Sequence, residues 1–154
     1  MKRLELKSKN SEGLFAKVDD EDYPLLSRHN WHALRVRDKV YAQRIISSDG
    51  MRTELLHHMI MGRPQRGYVV DHINDDGLDN RKRNLRFLPN AENIRRKYRD
   101  APDTGLKLKP DLMTNPWQAQ VSLGGKTRHV GYFPTKEAAR EARDAAIESY
   151  LNEQ

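Results

Sequence analysis

The feature that most limits how this chain can fold is the order of patterns between residues 68 and 99. YVVDHI has the pattern of a short strand, and DDGLDN, which follows it, consists of loop-forming residues. LRFLP is a second strand, and NAENIRRKYR is a helix with Asn90 as its expected N-cap. The sequence therefore predicts a strand, a loop, a strand and a helix in this order.

The residues before this segment predict further strands and helices. LFAKV and KVYAQRII alternate as strands do, and DDEDYPLLSRH between them is expected to form a turn or a short helix. TELLHHMIM, residues 53–61, is predicted to be a helix that Thr53 caps and that Gly62 and Pro64 end.

The residues after this segment predict a separate unit. DAPDTG has the Pro, Gly and Asp content of a linker, and PWQAQVSL, GG and KTRHVGYF then form a predicted hairpin, with LKLKPD as a preceding strand. PTKEAAREARDAAIESYL is predicted to be a helix capped by Thr135. We expect an α+β fold with a first domain at 1–99, a linker at 100–104 and a second domain at 105–154.

The charge of the chain indicates a polyanionic partner. The formal net charge is +6, and residues 80–99 contain eight basic side chains against one acid, Glu92. Basic small proteins commonly bind nucleic acid, and this basic block favours contact with phosphates. Its members are Arg81, Lys82, Arg83, Arg86, Arg95, Arg96, Lys97 and Arg99.

Charge is also divided within the second predicted domain. Residues 105–133, the predicted sheet, contain four basic residues and one acid, whereas the helix region 136–153 contains three basic residues and five acids. A basic sheet backed by an acidic helix suggests that the sheet faces DNA.

Several classes of protein are excluded or disfavoured by composition. The chain has no cysteine, so it has no disulfide-linked partner and no thiolate zinc site. The N-terminus MKRLELKSKN lacks the apolar core of a signal peptide, and no apolar run approaches the roughly 20 residues that span a bilayer. We expect a cytoplasmic protein with no membrane partner.

The strand end at Asp71 and His72 could supply the chemistry of phosphodiester hydrolysis. A neutral histidine can take a proton from water, and a carboxylate is a hard ligand for Mg²⁺ or Mn²⁺. Neighbouring residues on a strand point to opposite faces, so the two side chains could serve these two roles if the chain bends there. Asn93, early in the next helix, could supply a second oxygen ligand, and Asn84 could brace the loop.

LHHMIMG, VVDHINDDGLDN and NLRFLPNAEN resemble the HNH homing-type endonucleases of phages, which have the ββα-metal fold. The resemblance covers residues 53–98 closely and extends loosely upstream. It implies that His72 is the general base, that Asp71 and Asn93 hold a single divalent metal, Mg²⁺ or Mn²⁺, and that Asn84 is the structural asparagine. His57 matches the histidine of the upstream helix. Asn93 stands where other members have a histidine, which disfavours zinc or nickel.

The tail resembles an AP2 DNA-binding domain, which has three strands and a helix and lays its sheet in the major groove. WQAQV, GYF and the alanine-rich helix occur in the expected order, although the first strand is irregular around KPDLMTN. The resemblance implies six DNA contacts, which are Lys107, Trp117, Gln118, Gln120, Lys126 and Arg128. For Trp117, a place in the core is an equal alternative.

Together the two resemblances predict a metal-dependent endonuclease that nicks double-stranded DNA with some site preference. We expect a monomer, with a dimer for double-strand cleavage, in a bacterial or phage-infected cytoplasm. The alternatives are a non-catalytic DNA-binding protein on a degenerate HNH fold, and processing of structured RNA. Trp31 is predicted to lie in the core, whereas His29, His32 and His129 are predicted to be surface or satisfied histidines. Asn74 and Asn80 are predicted to form turns.

Overall fold

The computed structural model describes residues 1–8, 11–36, 38–47 and 52–153. The chain divides into two compact units, Met1–Pro89 and Asn90–Gln154. The division falls before the helix that follows the LRFLP strand, about ten residues earlier than the predicted domain boundary. In the described part of the chain, no helix is long and apolar enough to span a membrane.

The first unit consists of small antiparallel sheets and short helices. Two pairs of strands form two-stranded sheets, β1 with β2 and β6 with β7, and a third sheet has the order β3-β4-β5. The elements in chain order are β1 (Lys2–Glu5), β2 (Phe15–Val18), α1 (Tyr23–Leu26), β3 (His32–Val36), β4 (Lys39–Ile46), β5 (Arg52–Leu55), α2 (Leu56–Met61), β6 (Tyr68–His72), a 3₁₀ turn (Lys82–Asn84) and β7 (Leu85–Pro89).

A single apolar core holds this unit together, and Trp31 is its largest fully buried side chain. The indole Nε1 donates a hydrogen bond of 2.9 Å to the carbonyl oxygen of Leu26, so its polar atom is satisfied. Leu56 joins the same core from α2. The prediction that Trp31 lies in the core is therefore confirmed.

The helix predicted for residues 53–61 begins later than expected. Thr53 lies on β5, where it pairs with Ile45, and α2 begins at Leu56 without a side-chain cap. The prediction that Thr53 caps this helix is therefore wrong, because pairing with β4 extends the strand through Leu55. This register places Leu56 and His57 on the buried side of the short helix.

The second unit consists of the helix α3 (Asn90–Asp100), the strands β8 (Leu106–Leu108), β9 (Trp117–Leu123) and β10 (Lys126–Phe133), and the helix α4 (Lys136–Asn152). The strands form an antiparallel sheet in the order β10-β9-β8. Val121 and Leu123 pack with Tyr98 of α3 and Ile147 of α4. Thr135 caps α4 as predicted, since its side chain accepts a hydrogen bond from the amide of Ala138.

The predicted linker is packed into the second unit. Arg143 of α4 is 1% exposed and donates from Nη1 to the carbonyl oxygens of Pro102 and Thr104. Lys136 and Arg140 both form ion pairs with Asp103. The turn at 101–104 therefore belongs to the folded structure of this unit.

Candidate functional site

The β6–β7 hairpin positions Asp71 and His72 on its opposite faces. Asp71 pairs in register with Arg86, and His72 pairs with Leu85. Because side chains alternate along a strand, the carboxylate and the imidazole leave the strand in opposite directions. His72 is the last residue of β6, and the loop of residues 73–81 begins directly after it.

The imidazole of His72 lies in a cluster of rings and is 5% exposed. The ring of His57, from α2, lies edge-on at 5.1 Å between centroids, and the ring of Tyr41, from β4, lies at 5.9 Å. His58 in turn contacts His57 at 4.6 Å. Sequence analysis singled out His57 and His72, and the structure brings them into contact. Tyr41 was missed, because nothing local in the β4 sequence links it to a loop thirty residues away.

Burial keeps these imidazoles uncharged. Burial, together with the nearby His72 and His58, lowers the pKa of His57 to about 3. Burial also lowers the pKa of His72, although a hydrogen bond with Asn80 and the charge of Asp71 oppose the shift. A neutral imidazole is the form that can accept a proton, so His72 is in the state that a general base needs.

Asn84 joins both sides of the loop after His72. Its Nδ2 donates to the carbonyl oxygen of Asp79 at 2.8 Å and to Oδ1 of Asn74 at 2.9 Å. Its Oδ1 accepts from the backbone amide of Asn74 at 3.1 Å. The residue is 7% exposed, and its role as the structural asparagine of the site stays a prediction. Asn74 helps to hold the loop, as a turn former does.

Two further loop residues are buried that sequence analysis did not assign to the site. Asp79 is 1% exposed and accepts two hydrogen bonds from the Arg81 guanidinium and one from Asn74. Asn80 is fully buried, and its Oδ1 lies 3.4 Å from Nε2 of His72. Loop composition alone indicates a turn at these positions and gives no signal for burial, which comes from packing against β2 and β4.

The loop packs closely on the first unit's other strands. The amide of Asn80 donates to the carbonyl oxygen of Lys17 in β2 at 2.8 Å, and the amide of Lys17 donates to Leu78. A Cβ on Gly77 would collide with the Val40 carbonyl and the Tyr41 ring, so only glycine fits there. The N-terminal strands are therefore part of the structure that positions His72.

The two predicted metal ligands lie in different units. Asp71 lies on β6, where Oδ2 accepts from Nε of Arg86 at 2.9 Å and pairs with its Nη2 at 2.9 Å. Asn93 is the fourth residue of α3 and is half-buried. No group of three or more His, Asp or Glu side chains in the described part of the chain is arranged to hold a metal ion. Joint ligation by Asp71 and Asn93 stays a prediction.

Most cations of the basic block are already paired within their own unit. Lys82 contacts Glu21 at 2.5 Å and Asp22 at 3.0 Å, and these acids raise its pKa to about 12. Arg81 pairs with Asp79, Arg86 with Asp71, Arg95 with Glu148 and Arg96 with Asp100. Arg83 is exposed and has no ion-pair partner among the described residues, which makes it the cation of this block most available to phosphate.

Three of the six residues predicted to bind DNA in the tail lie on the sheet face away from α4. Ala119, Val121 and Leu123 are buried, so Gln118 and Gln120 lie on the opposite face of β9. Lys107 pairs in register with Gln118 and shares that face.

His129 and Tyr132 of β10 also lie on this face, because a bulge between His129 and Gly131 shifts the alternation by one residue. Their rings are 4.8 Å apart. Sequence analysis missed this pair, because a regular strand would have separated them.

The other three lie on the face that carries α4. Arg128 pairs in register with Val121, and its guanidinium lies 5.4 Å from the ring centroid of Tyr150. Lys126 pairs with Leu123. Trp117 pairs with Phe133, and the ammonium of Lys136 lies 5.7 Å from its ring. This placement favours packing for Trp117, the alternative to DNA contact that the sequence left open.

Comparison with known proteins finds a family that is similar to the segment containing this site. Residues 58–95 match the family described as HNH endonuclease. The match includes Asp71, His72, Asn84 and Asn93, and it begins one residue after His57. Residues 58–95 are therefore similar in sequence to HNH endonucleases, and this segment is called the HNH domain below. The catalytic and ligand roles of the individual residues within this HNH domain remain predictions.

The similarity to a described HNH protein extends beyond the HNH domain. A protein of Acanthamoeba polyphaga mimivirus, described as an uncharacterized HNH endonuclease, is 23% identical over 142 residues. This span covers 92% of the present chain and 73% of the relative. No solved structure matches the chain significantly.

Proposed function

We propose that this protein is a metal-dependent endonuclease that nicks double-stranded DNA, with His72 as the general base. The observation that carries the proposal is the geometry around His72 within an HNH domain. A buried, neutral imidazole lies at the end of β6, and the loop beside it is fixed by the Asn84 hydrogen bonds. Such an imidazole is positioned before substrate arrives, so no reorganisation accompanies proton transfer.

In the proposed reaction, His72 takes a proton from a water molecule as the water oxygen attacks phosphorus. The new phosphorus–oxygen bond forms while the bond to the 3′ oxygen breaks. The leaving 3′ oxygen takes a proton from solvent, so the products are a 5′-phosphate and a 3′-hydroxyl, and His72 later releases its own proton to solvent. The HNH match at residues 58–95 supplies one candidate site, which supports cleavage of one strand by a monomer, with double-strand cleavage requiring a second copy or a second event.

The predicted ligands fit a hard divalent cation. Asp71 offers a carboxylate and Asn93 an amide oxygen, which are the donor types that Mg²⁺ and Mn²⁺ prefer. When bound, the metal ion would stabilise the charge that develops on the phosphate and on the leaving oxygen. Binding at Asp71 would compete with Arg86 for the same carboxylate. Arg86 would then be released to contact DNA, as the sequence predicted for this residue.

The tail is proposed to hold the duplex through the sheet face away from α4, as the AP2 resemblance suggests. Ammonium, amide, imidazole and phenol groups can hydrogen-bond base edges in a major groove. We therefore keep Lys107, Gln118 and Gln120 as proposed contacts and add His129 and Tyr132. Homing activity and a phage source are further proposals that come from the resemblance alone.

Conversion of supercoiled plasmid to open circles tests this function. We expect conversion with Mg²⁺ or Mn²⁺, none with EDTA, and none for His72→Ala, while binding of duplex DNA is retained. His32→Gln is a matched control, because His32 lies on β3 and its ring nitrogen bonds the Lys7 carbonyl oxygen, outside the ring cluster of His72. Unchanged nicking by His72→Ala would refute the role of this histidine.

One observation favours a second candidate function, which is DNA binding without catalysis. The Asp71 carboxylate is paired with Arg86, as in a site that does not recruit metal. This candidate predicts tight duplex binding with no cleavage in either metal ion. A single plasmid experiment with a parallel binding measurement therefore separates the two candidates.

A further inference from the structure

The side chain of Asn80 is completely buried beside His72. Its Oδ1 lies 3.4 Å from Nε2 of His72, and its Nδ2 donates to the carbonyl oxygen of Gly77 at 3.3 Å. Its backbone amide donates to the carbonyl oxygen of Lys17 at 2.8 Å. Both the main chain and the side-chain amide are therefore held in place.

The contact with Gly77 determines which way the Asn80 amide points. Rotating the amide by half a turn would bring Oδ1 against the Gly77 carbonyl oxygen, where two acceptors would repel each other. It would also leave Nδ2 without this acceptor, in a site that water does not reach. The oxygen of the amide must therefore face His72, and a ring nitrogen facing an acceptor must carry a proton.

The other ring nitrogen of His72 retains access to solvent. Nδ1 has no hydrogen-bond partner among the described residues. Among all described residues, the only fully buried side-chain polar atoms without a hydrogen-bond partner are Oδ2 of Asp22 and Nε of Arg140. Nδ1 is not one of them, so it lies at the small accessible edge of an otherwise buried ring. This edge is where an attacking water can meet the imidazole.

We propose that Asn80 is a positioning residue that holds His72 in the tautomer with its proton on Nε2, so that Nδ1 takes the proton from water. The proposal rests on the proposed function of His72 as the general base and states which nitrogen acts. The same hydrogen bond stabilises the imidazolium that forms after proton transfer, because Oδ1 faces a ring nitrogen that stays protonated throughout.

The tautomer can be measured without any cleavage assay. In protein with isotope-labelled histidine, the nitrogen chemical shifts of His72 distinguish Nε2–H from Nδ1–H at a pH where the ring is neutral, and the His72→Gln spectrum assigns the signal. We expect Nε2–H in the wild type and a mixture in Asn80→Ala. Asn80→Asp should restore Nε2–H, because a buried carboxyl group that is protonated on the oxygen facing the Gly77 carbonyl still presents an acceptor oxygen to His72.

Asn74→Ala is the matched control for damage to the loop. Asn74 bonds Asp79 and Asn84 but makes no contact with His72. This variant should keep the Nε2–H tautomer. Loss of the tautomer in Asn74→Ala as well would show that general loop order sets it, which would overturn the role of Asn80.

Cleavage provides the second readout. At saturating DNA, Asn80→Ala should lower the single-turnover rate by at least about 10-fold, which is a part of the roughly 100- to 10,000-fold that a general base contributes in total. Asn80→Asp should recover most of this loss, and the affinity for DNA should be unchanged in both variants. A Nδ1–H tautomer in the wild type, or an undiminished rate in Asn80→Ala, would overturn the proposal. A wild-type protein that never cleaves would refute the proposed function instead, and the tautomer measurement would still decide what Asn80 does.

Discussion

Replacing Asn84 by alanine should destabilise the first unit by about 3 kcal/mol, because this buried residue loses three hydrogen bonds at a net value of roughly 1 kcal/mol each. Two of these bonds come from Nδ2 and one reaches Oδ1. The substitution leaves the Asp79 carbonyl oxygen and the Asn74 amide without these partners. The lost hydrogen bonds and the unpaired groups both destabilise the native state, so the expected change is larger than for an ordinary surface substitution.

The loss can be assigned to the first unit by fluorescence. Trp31 is fully buried in the core of that unit, and Trp117 is in the other. In a Trp117→Phe background, urea unfolding followed by tryptophan emission reports on the first unit through Trp31. Asn30→Ala is the matched control, because Asn30 lies in the same unit and is exposed. A change in unfolding free energy below about 0.5 kcal/mol, as at an ordinary surface site, would refute the bracing role of Asn84.

Three further predictions concern charge. As pH falls from 7 to 5, His57 binds a proton in the unfolded state but not in the native state, because its pKa in the folded protein is about 3. The free energy of unfolding should therefore fall by about 2 kcal/mol from this group. In urea unfolding at several pH values, His57→Leu should show a smaller decline. Arg83→Gln should reduce the slope of log K for duplex binding against log salt concentration by the equivalent of about one phosphate contact. Lys82→Gln should change this slope less, because Lys82 is paired with Glu21. Equal slopes for the two variants would contradict this prediction. Arg86→Ala should tighten Mn²⁺ binding, measured by calorimetry without DNA, because the carboxylate of Asp71 loses its competing cation; weaker binding would show that Arg86 supports the metal site.

The elements of both units follow from local patterns, and the exceptions have physical causes. The β6–β7 hairpin, α3, the β9–β10 hairpin and α4 all occur where apolar periodicity and turn residues indicate them. The start of α2 was placed too early, since pairing with β4 extends β5 through Leu55. Pairing between distant strands is a tertiary effect that a local helix propensity does not contain.

The site was predictable where its members are close in sequence. The Asp71–His72 pair and Asn84 belong to one short segment, and their spacing is informative. The burial of Asn80 and the ring of Tyr41 depend on how the loop packs against β2 and β4, which composition cannot reveal. His129 and Tyr132 lie on the same side of the sheet because of a bulge, and the residue types of this strand do not predict that bulge.

The ends of the nicked product test the central claim most directly. After cleavage of supercoiled plasmid by the wild-type protein with Mg²⁺, the open circles are purified and incubated with DNA ligase. Attack of water on phosphorus with loss of the 3′ oxygen predicts a 5′-phosphate beside a 3′-hydroxyl, so ligase should reseal the circles, and His72→Ala should yield none to reseal. Nicks that ligase seals only after a 3′-phosphate is removed, or sealable nicks that His72→Ala produces equally well, would contradict the account.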